Sequence, residues 1–175
     1  NTNSMQELFK KYNIQLTPEQ IQRFELFLEI FIEKNGQINL SAIRDKQWIL
    51  EKHFLDSLML SKYLKLSWKV LDLGTGGGFP GIPLKIIDEN NTNFILLDSV
   101  WKKITAVNEF TKALELGNIK WLQYSWTLLA LFWGQSEWMH IQKLHFLASL
   151  ASLVSKSRLE ILVFKKVAYT FLFSE

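Results

Sequence analysis

The feature that most constrains this chain is the stretch VLDLGTGGGFPGIPL, residues 70–84, which places five glycines between two apolar runs. Glycines at this density are typical of a backbone that turns sharply or lets another molecule approach closely. Residues 70–73 predict a short strand, and residues 82–87 predict the start of a helix. A strand, a glycine turn and a helix form the unit that binds a nucleotide-like ligand at the carboxyl end of a parallel sheet.

The spacing of the glycines indicates which kind of nucleotide-binding loop this stretch forms. Gly76, Gly78 and Gly81 match the dinucleotide pattern G-x-G-x-x-G, but their register against the strand end is wrong for it. A phosphate loop is excluded because no Lys-Ser or Lys-Thr pair follows the glycines. The pattern that fits is D-x-G-x-G-x-G, in which Asp72 precedes Gly74, Gly76 and Gly78. This pattern favours a cationic ligand that carries no phosphate.

A second acidic residue, Asp98, ends the next predicted strand, FILLD. A carboxylate at this place, about twenty residues beyond the loop, can accept both hydroxyls of a bound ribose. The alternative is that Asp98 caps the helix that follows it. The glycine loop and this carboxylate together predict a site for an adenosyl group.

The remaining pattern divides the chain into two parts. From residue 67 onward, short apolar runs such as KVLDL, NFILLD and LEILVFK alternate with helical stretches, which predicts an α/β fold with a mainly parallel sheet over residues 67–175. Residues 1–66 predict a helical N-terminal extension packed on that core, so that the whole chain forms a single compact unit.

The helical extension carries its own start and stop signals. Thr17 as N-cap, Pro18 at the first helical position and Gln20 at the third predict the start of a long helix. We expect this helix to end near Asn35, with Gly36 as its stop. A second helix is expected to begin at Asp45.

Composition limits the other classes of function. The chain has no cysteine and three histidines, so we expect neither a disulfide framework nor a metal site. The first residues lack the pattern of a signal peptide, and no apolar run reaches the roughly 20 residues of a membrane span. We therefore expect a cytoplasmic protein with no membrane partner. The net charge of +3 suits a polyanionic partner without requiring one.

The glycine stretch and three further motifs, INLSAIRD, HFLDSL and LLDSV, occur in an order that resembles the glucose-inhibited division protein B family of bacterial methyltransferases. The resemblance covers roughly residues 20–120. It implies a Rossmann-like class I methyltransferase fold and S-adenosyl-L-methionine as cofactor. It further implies methylation of N7 of a guanine in 16S ribosomal RNA, either as the free RNA or in the small ribosomal subunit. We expect the enzyme to be a monomer.

By motif position, the resemblance assigns residues to the cofactor and to the RNA. The cofactor-binding set is Asp72, Gly74, Gly76, Gly78, Phe79, Asp98, Ser99, Trp126, Thr127 and Met139. Asn39 and His53 match positions that shape the pocket or the RNA face. The alternative for His53 is a structural histidine with satisfied hydrogen bonds, on a helix that also packs Phe54.

Lysines and an arginine supply the candidates for RNA contact, and the alternative for each is a solvated side chain. The set is Arg44, Lys46, Lys52, Lys102, Lys103, Lys165 and Lys166. We nominate no general base, because guanine N7 already carries an exposed lone pair and no proton must be removed before attack.

Residues past Lys120 depart from the family pattern. Ser125, Trp126 and Thr127 stand where the family carries an Arg-Ala-Glu-like element at the adenine. Met139 stands near the position of a later family arginine, and Trp101 where the family usually carries glycine. These departures leave two alternatives open: a non-catalytic RNA-binding or ribosome-binding module that retains the fold, and a methyltransferase that acts on another substrate. A nicotinamide-dependent oxidoreductase is disfavoured by the register of the glycines.

Overall fold

The computed structural model of the chain describes residues 2–63, 69–124, 159–163 and 171–172. The described strands are β1 (Lys69–Leu73), β2 (Asn93–Asp98), β3 (Ile119–Gln123), β4 (Leu159–Val163) and β5 (Phe171–Leu172). They form one sheet in the order β3-β2-β1-β4-β5. Strands β1 to β4 are parallel, and β5 is antiparallel to β4. The predicted Rossmann-like α/β fold with a mainly parallel sheet is confirmed.

The strand order creates a crevice at the end of β1. Leu73, the last residue of β1, pairs with Leu97 of β2 on one side and with Val163 of β4 on the other. The chain therefore winds away from β1 in opposite directions along the sheet. In open α/β sheets, ligands bind outside the carboxyl ends of the strands at such a point. The glycine stretch that follows Leu73 lies there.

Helices precede the sheet and connect its strands. Those of the described residues are α1 (Thr2–Lys11), α2 (Pro18–Ile38), α3 (Lys46–Ile49), a π-helical segment (Leu50–Leu55), α4 (Asp56–Leu60), α5 (Gly81–Ile86) and α6 (Trp101–Ala113). In this part of the chain, no helix has the length and apolar character needed to cross a membrane.

Helix α2 begins as the sequence predicts but ends later. The Thr17 hydroxyl accepts a hydrogen bond from the Gln20 N–H, and the Gln20 side chain accepts one from the Thr17 N–H, which completes the capping box. The expected stop at Gly36 is wrong, because α2 continues to Ile38 and ends at Asn39. Asn39 adopts the left-handed conformation with φ of 55° and closes the helix in the way a glycine commonly does.

The second helix begins at the predicted place and then changes its pitch. Asp45 is its N-cap, and the side chain accepts a hydrogen bond from the Trp48 N–H at 2.9 Å. After α3, the backbone continues as the π-helical segment and then as α4. The wider turn adds a residue to the repeat, which shifts the buried face. Phe54 and Leu55 are buried, whereas His53 is half-buried.

An aromatic cluster joins the helices to the glycine stretch. The ring of Phe27 in α2 lies 5.1 Å from Phe54, 5.2 Å from Phe79 and 5.5 Å from Phe110, measured between ring centroids. Phe27 and Phe54 have no exposed surface. Helices and sheet thus share one hydrophobic core. The division at residue 66 stays a prediction, since residues 64–68 lie outside the described ones.

Candidate functional site

Backbone hydrogen bonds fasten the glycine loop, residues 74–81, to the end of β2. The N–H groups of Gly74 and Thr75 both donate to the Leu97 carbonyl at 2.8 Å. The Thr75 carbonyl in turn accepts from the N–H groups of Gly78 and Phe79, at 2.9 and 3.0 Å. The loop therefore folds back on itself directly above the carboxyl end of the sheet.

The upper face of this loop is open. Gly74 and Gly76 have φ angles of +80° and +60°, a conformation that L side chains rarely adopt. A Cβ added at Gly74 would meet no atom within 4 Å, and one at Gly76 would meet only the Gly74 carbonyl oxygen, at 3.9 Å. These glycines are required by the backbone turn and leave bare peptide groups facing a space that a ligand can enter.

The lower face of the loop is tightly packed. A Cβ at Gly77 would lie 2.6 Å from the Phe31 ring, and one at Gly81 would lie 2.3 Å from the Leu96 side chain. Both distances are far shorter than van der Waals contact. Gly77 and Gly81 are therefore required for packing, and they seat the loop on α2 and on the sheet.

Asp72 lies beneath the loop, in β1, and is fully buried. Its Oδ2 accepts hydrogen bonds from the Thr75 hydroxyl at 2.7 Å and from the Gly81 N–H at 2.9 Å. Its Oδ1 has no hydrogen-bond partner among the described residues. Burial raises the pKa of Asp72 to about 7, the two hydrogen bonds oppose that rise, and the charge of Asp98 adds to it. The structure thus places this predicted cofactor residue where it holds the two ends of the loop.

Asp98 lies at the end of β2, beside the loop, with 6% of its surface exposed. Its Oδ2 accepts the Gly76 N–H and its Oδ1 accepts the Val100 N–H, both at 2.9 Å. The alternative that Asp98 caps α6 is wrong, because the N-cap is Val100 and has no side-chain capping bond. Each carboxylate oxygen accepts one backbone hydrogen bond and retains a lone pair that can accept another.

A tyrosine that the sequence analysis did not single out completes this edge. Tyr124 directly follows β3, and its N–H donates to the Asp98 carbonyl at 3.1 Å. Burial and the charge of Asp98 raise the pKa of Tyr124, while a hydrogen bond with the Ser99 side chain lowers it. Tyr124 therefore lies beside Asp98 at this edge of the sheet. The sequence could have indicated Tyr124 by its position directly after the third strand.

The electrostatics of the site favour a cation. Asp72 and Asp98 both lie at the loop, and within the described residues neither forms an ion pair with a lysine or arginine. An Asp98 carboxylate without a cationic partner repels an anionic phosphate and attracts a positive group, and Asp72 adds to this effect in its ionised form. The same part of the chain contains no cluster of metal-ligating side chains.

Phe79 and His53 lie on the other side of the loop from the open face. The Phe79 side chain is 6% exposed and stacks on His53, with ring centroids 4.9 Å apart. His53 Nε2 lies 2.7 Å from the Ser41 hydroxyl. The structure thus places the two predicted site residues in contact with each other, in the aromatic cluster between the loop and the helices.

Asn39 and Arg44 meet at the end of α2. The Arg44 guanidinium donates hydrogen bonds to the Asn35 carbonyl and to the Asn39 side-chain oxygen. Arg44 forms no ion pair with any residue that the structure describes, so its charge stays uncompensated. It lies in the segment that leads from α2 to Asp45.

The lysine candidates occupy several places. Lys102 is exposed and Lys103 half-buried in the first turn of α6, beside Trp101, which is 59% exposed. Lys46 and Lys52 are exposed, and the Lys52 ammonium lies 5.9 Å from the centre of the Trp48 ring. Other candidates lie outside the described residues, namely Trp126, Thr127, Met139, Lys165 and Lys166.

Comparison with known proteins adds to this geometry. The family model described as rRNA small subunit methyltransferase G matches residues 20–126. Ribosomal RNA small subunit methyltransferase G of Lachnoclostridium phytofermentans is 43% identical over 112 residues, 63% of this chain and 46% of that protein. The protein of the same name from Desulforamulus reducens is 41% identical over 120 residues, 67% of this chain and 50% of that protein. The chain spans about half the length of the curated relatives it matches.

Solved structures show a weaker likeness. A putative O-methyltransferase from Klebsiella pneumoniae has a TM-score of 0.49 and 14% sequence identity. The match covers 92% of this chain and 70% of that chain.

Proposed function

Because this chain belongs to the rRNA small subunit methyltransferase G family, we propose that it binds S-adenosyl-L-methionine on the open face of its glycine loop and methylates N7 of a guanine in 16S ribosomal RNA. The observation that carries the proposal is the hydrogen bond from the Gly76 N–H to Asp98 Oδ2. It joins the open loop to the strand-end carboxylate, so that one surface presents bare peptide groups and a fixed acceptor for a ribose.

Asp98 has the role of binding the two ribose hydroxyls. Its orientation is set before any ligand arrives, because two backbone N–H groups hold one oxygen each. A preorganised acceptor loses little freedom on binding. Ser99 and Tyr124 supply further polar groups at the same edge.

Asp72 has the role of shaping the loop from below. It ties Thr75 and Gly81 to β1, and these bonds keep Gly74, Gly76 and Gly78 in their turn. Its carboxyl group also adds negative potential beneath a cationic sulfonium when it is ionised. The Phe79 side chain, buried against His53, anchors the far end of the loop and leaves contact with the cofactor to its backbone.

Bound S-adenosyl-L-methionine supplies a methyl group on a positively charged sulfur. Guanine N7 attacks with an existing lone pair, so this chain needs no general base and contributes by positioning the two reactants. Electrostatic stabilisation of the positively charged sulfur comes from Asp98 and, in its ionised form, from Asp72. Arg44, Lys102 and Lys103, with their uncompensated charge, are the described candidates for holding RNA phosphates. We also propose that the protein acts in the cytoplasm as a monomer.

Calorimetric titration of the intact chain with S-adenosyl-L-methionine, with NAD as a parallel control, tests this proposal. We expect binding of the first and none of the second, followed by methyl transfer to unmodified small ribosomal subunits. Binding of RNA without binding of the cofactor would contradict the proposal and support the non-catalytic alternative. Binding of the cofactor without transfer to the subunit would favour another substrate.

Substitution of Asp98 makes the test specific to the site. Hydrogen bonds to a charged group contribute about 1.5–3 kcal/mol each, so Asp98→Asn should weaken cofactor binding at least tenfold. The matched control is Asp88→Asn, since Asp88 is also a buried acid that accepts two backbone N–H groups, but in the turn before β2. We expect the control to lower stability and to leave cofactor affinity unchanged. Equal affinities in the two variants would contradict the role of Asp98.

A further inference from the structure

Residues 39–44, which we call the rim segment, form a wall beside the glycine loop. Leu40 is 6% exposed, and a Cβ on Gly77 would lie 3.5 Å from the Leu40 Cβ. The rim segment is therefore in van der Waals contact with the packed face of the loop, opposite the open face that we assign to the cofactor. A shift of the rim segment would move the loop from below.

Asn35 gives the rim segment its shape. This side chain is 1% exposed, and its Nδ2 donates to the Ile43 carbonyl at 2.9 Å while its Oδ1 accepts the Ser41 N–H at 2.7 Å. The Asn35 carbonyl also accepts the Asn39 N–H at 3.2 Å. The base of the rim segment is therefore fixed to the last turn of α2.

His53 makes the second attachment, and this one also reaches the loop. Its Nε2 lies 2.7 Å from the Ser41 hydroxyl, and its ring stacks on Phe79 at 4.9 Å with an angle of 22° between the ring planes. The edge of the same ring faces Phe31, 5.8 Å away. One imidazole thus contacts the rim segment, the glycine loop and α2.

Ser41 and His53 are arranged to form a hydrogen bond with each other. The Ser41 hydroxyl oxygen accepts the Ile43 N–H at 3.1 Å, so its single proton is available to Nε2. Burial lowers the pKa of His53, with the backbone of Lys52 and the charge of Asp56 opposing the shift. A neutral imidazole has one unprotonated ring nitrogen, and in the tautomer protonated at Nδ1 the Nε2 atom accepts a hydrogen bond from the Ser41 hydroxyl.

We propose that His53 is a positioning residue for the methyl transfer: by bridging Ser41 and Phe79, it sets the distance between the rim segment, which carries the proposed RNA contact Arg44, and the loop proposed to bind the cofactor. This inference rests on the proposed function. The reacting atoms of a bimolecular transfer must approach to about 3–3.5 Å, and a misplacement of about 1 Å can cost a hundredfold in rate. His53 acts through Ser41 and Phe79 and makes no contact with RNA itself.

Three variants separate the parts of this bridge. His53→Phe keeps an aromatic ring on Phe79 and loses the nitrogen, Ser41→Ala removes the hydroxyl, and His53→Gln keeps an amide that can reach Ser41. Ser61→Ala is the matched control, since its hydroxyl also makes one hydrogen bond, to the Leu58 carbonyl at 2.7 Å. All four are compared with the unchanged chain.

Amide hydrogen exchange without ligand tests the bridge directly. We expect His53→Phe and Ser41→Ala to speed exchange in residues 39–44 at least about fivefold, the value of one ordinary hydrogen bond, while the amides of α2 before Asn35 stay unchanged. His53→Gln should restore slow exchange, and Ser61→Ala should match the unchanged chain. Equal exchange in all variants would overturn the inference.

Kinetics test the positioning role. In His53→Phe and Ser41→Ala, we expect affinity for S-adenosyl-L-methionine within about twofold of the unchanged chain and kcat on small subunits lower by about ten- to hundredfold. The double variant His53→Phe/Ser41→Ala should have a kcat no lower than either single variant, because both substitutions remove the same hydrogen bond. A normal kcat in the single variants would overturn the inference while leaving the proposed function intact. An unchanged chain that binds no cofactor would overturn the proposed function, and the exchange result alone would then show whether the bridge exists.

Discussion

Asp72 has the most unusual environment of any described carboxyl group. It is fully buried, and the pKa of its side chain is raised to about 7 from an ordinary value of 3.8. The folded chain therefore retains a proton between pH 3.8 and 7 that the unfolded chain releases. By linkage, this group's contribution to the free energy of unfolding falls as pH rises through that window.

The variant Asp72→Asn tests this sign. Its amide can keep the acceptor oxygen at Thr75 and Gly81 and cannot ionise, so we expect it to be more stable than the unchanged chain at pH 8 and to converge with it near pH 4. Urea unfolding at several pH values measures the difference between the two proteins. His53, whose lowered pKa has the opposite effect on stability, contributes equally to both and cancels. A difference that does not vary with pH would contradict the raised pKa.

The sequence placed two acidic residues at the glycine loop, and the structure shows both there, where Asp72 and Asp98 accept hydrogen bonds from loop residues. They were predictable because residues at the ends of parallel strands meet at one sheet edge, while their cofactor roles stay predictions. Phe79 was assigned to the cofactor, yet its side chain packs on His53, because motif position shows neither on which side of a loop a side chain lies nor what covers it. Tyr124 was missed because only the assembled sheet brings the end of β3 beside Asp98.

Gly36 in helix α2 and Gly77 in the glycine loop have different surroundings, so replacing each with alanine should have opposite effects on stability. A Cβ at Gly36 would meet nothing within 4 Å, and Gly36 lies inside the helix. We expect Gly36→Ala to stabilise the protein by about 0.5–1 kcal/mol. Gly77→Ala should instead destabilise it by about 1–3 kcal/mol, because the new methyl group overlaps the buried Phe31 ring.

Chemical denaturation measures the free energy of unfolding of Gly36→Ala and Gly77→Ala. Each substitution adds the same methyl group, so the difference between the two free energies of unfolding isolates the packing beneath the loop. Gly77→Ala should also weaken binding of S-adenosyl-L-methionine, since the loop must shift to accommodate it. Equal stabilities would mean that Phe31 does not support the loop.

The elements themselves were largely predictable where a local signal defines them. The capping box at Thr17, the N-cap at Asp45 and strands β1 and β2 follow from short-range patterns, and the structure confirms them. The end of α2 was not predictable from Gly36, because Asn35 and Asn39 close the helix through contacts with residues further along the chain. The π-helical segment Leu50–Leu55 likewise has no local signature in the sequence.

At the scale of the whole molecule, charge is distributed unevenly around a site that itself attracts cations. The net charge is +3, while Asp72 and Asp98 lie at the loop. Lysines and an arginine lie on neighbouring elements, where Lys102 and Arg44 form no ion pair among the described residues. This distribution fits the two ligands that we propose, since a sulfonium is attracted to a carboxylate such as Asp98 and the RNA backbone to basic side chains such as Lys102.

Helix α6 offers a test of this arrangement, because it carries exposed lysines at both ends. Lys102 lies in its first turn, near Asp98, and Lys112 in its last turn, about 15 Å along the helix at a rise of 1.5 Å per residue. We expect Lys102→Gln to weaken binding to 16S ribosomal RNA and to reduce the slope of log affinity against log salt by about 1, as the loss of one phosphate contact does. Lys112→Gln makes the same change in charge at the far end and should leave the slope unchanged. Binding measured at several salt concentrations distinguishes the two, and equal slopes for both variants would mean that net charge, rather than this edge of the sheet, attracts the RNA.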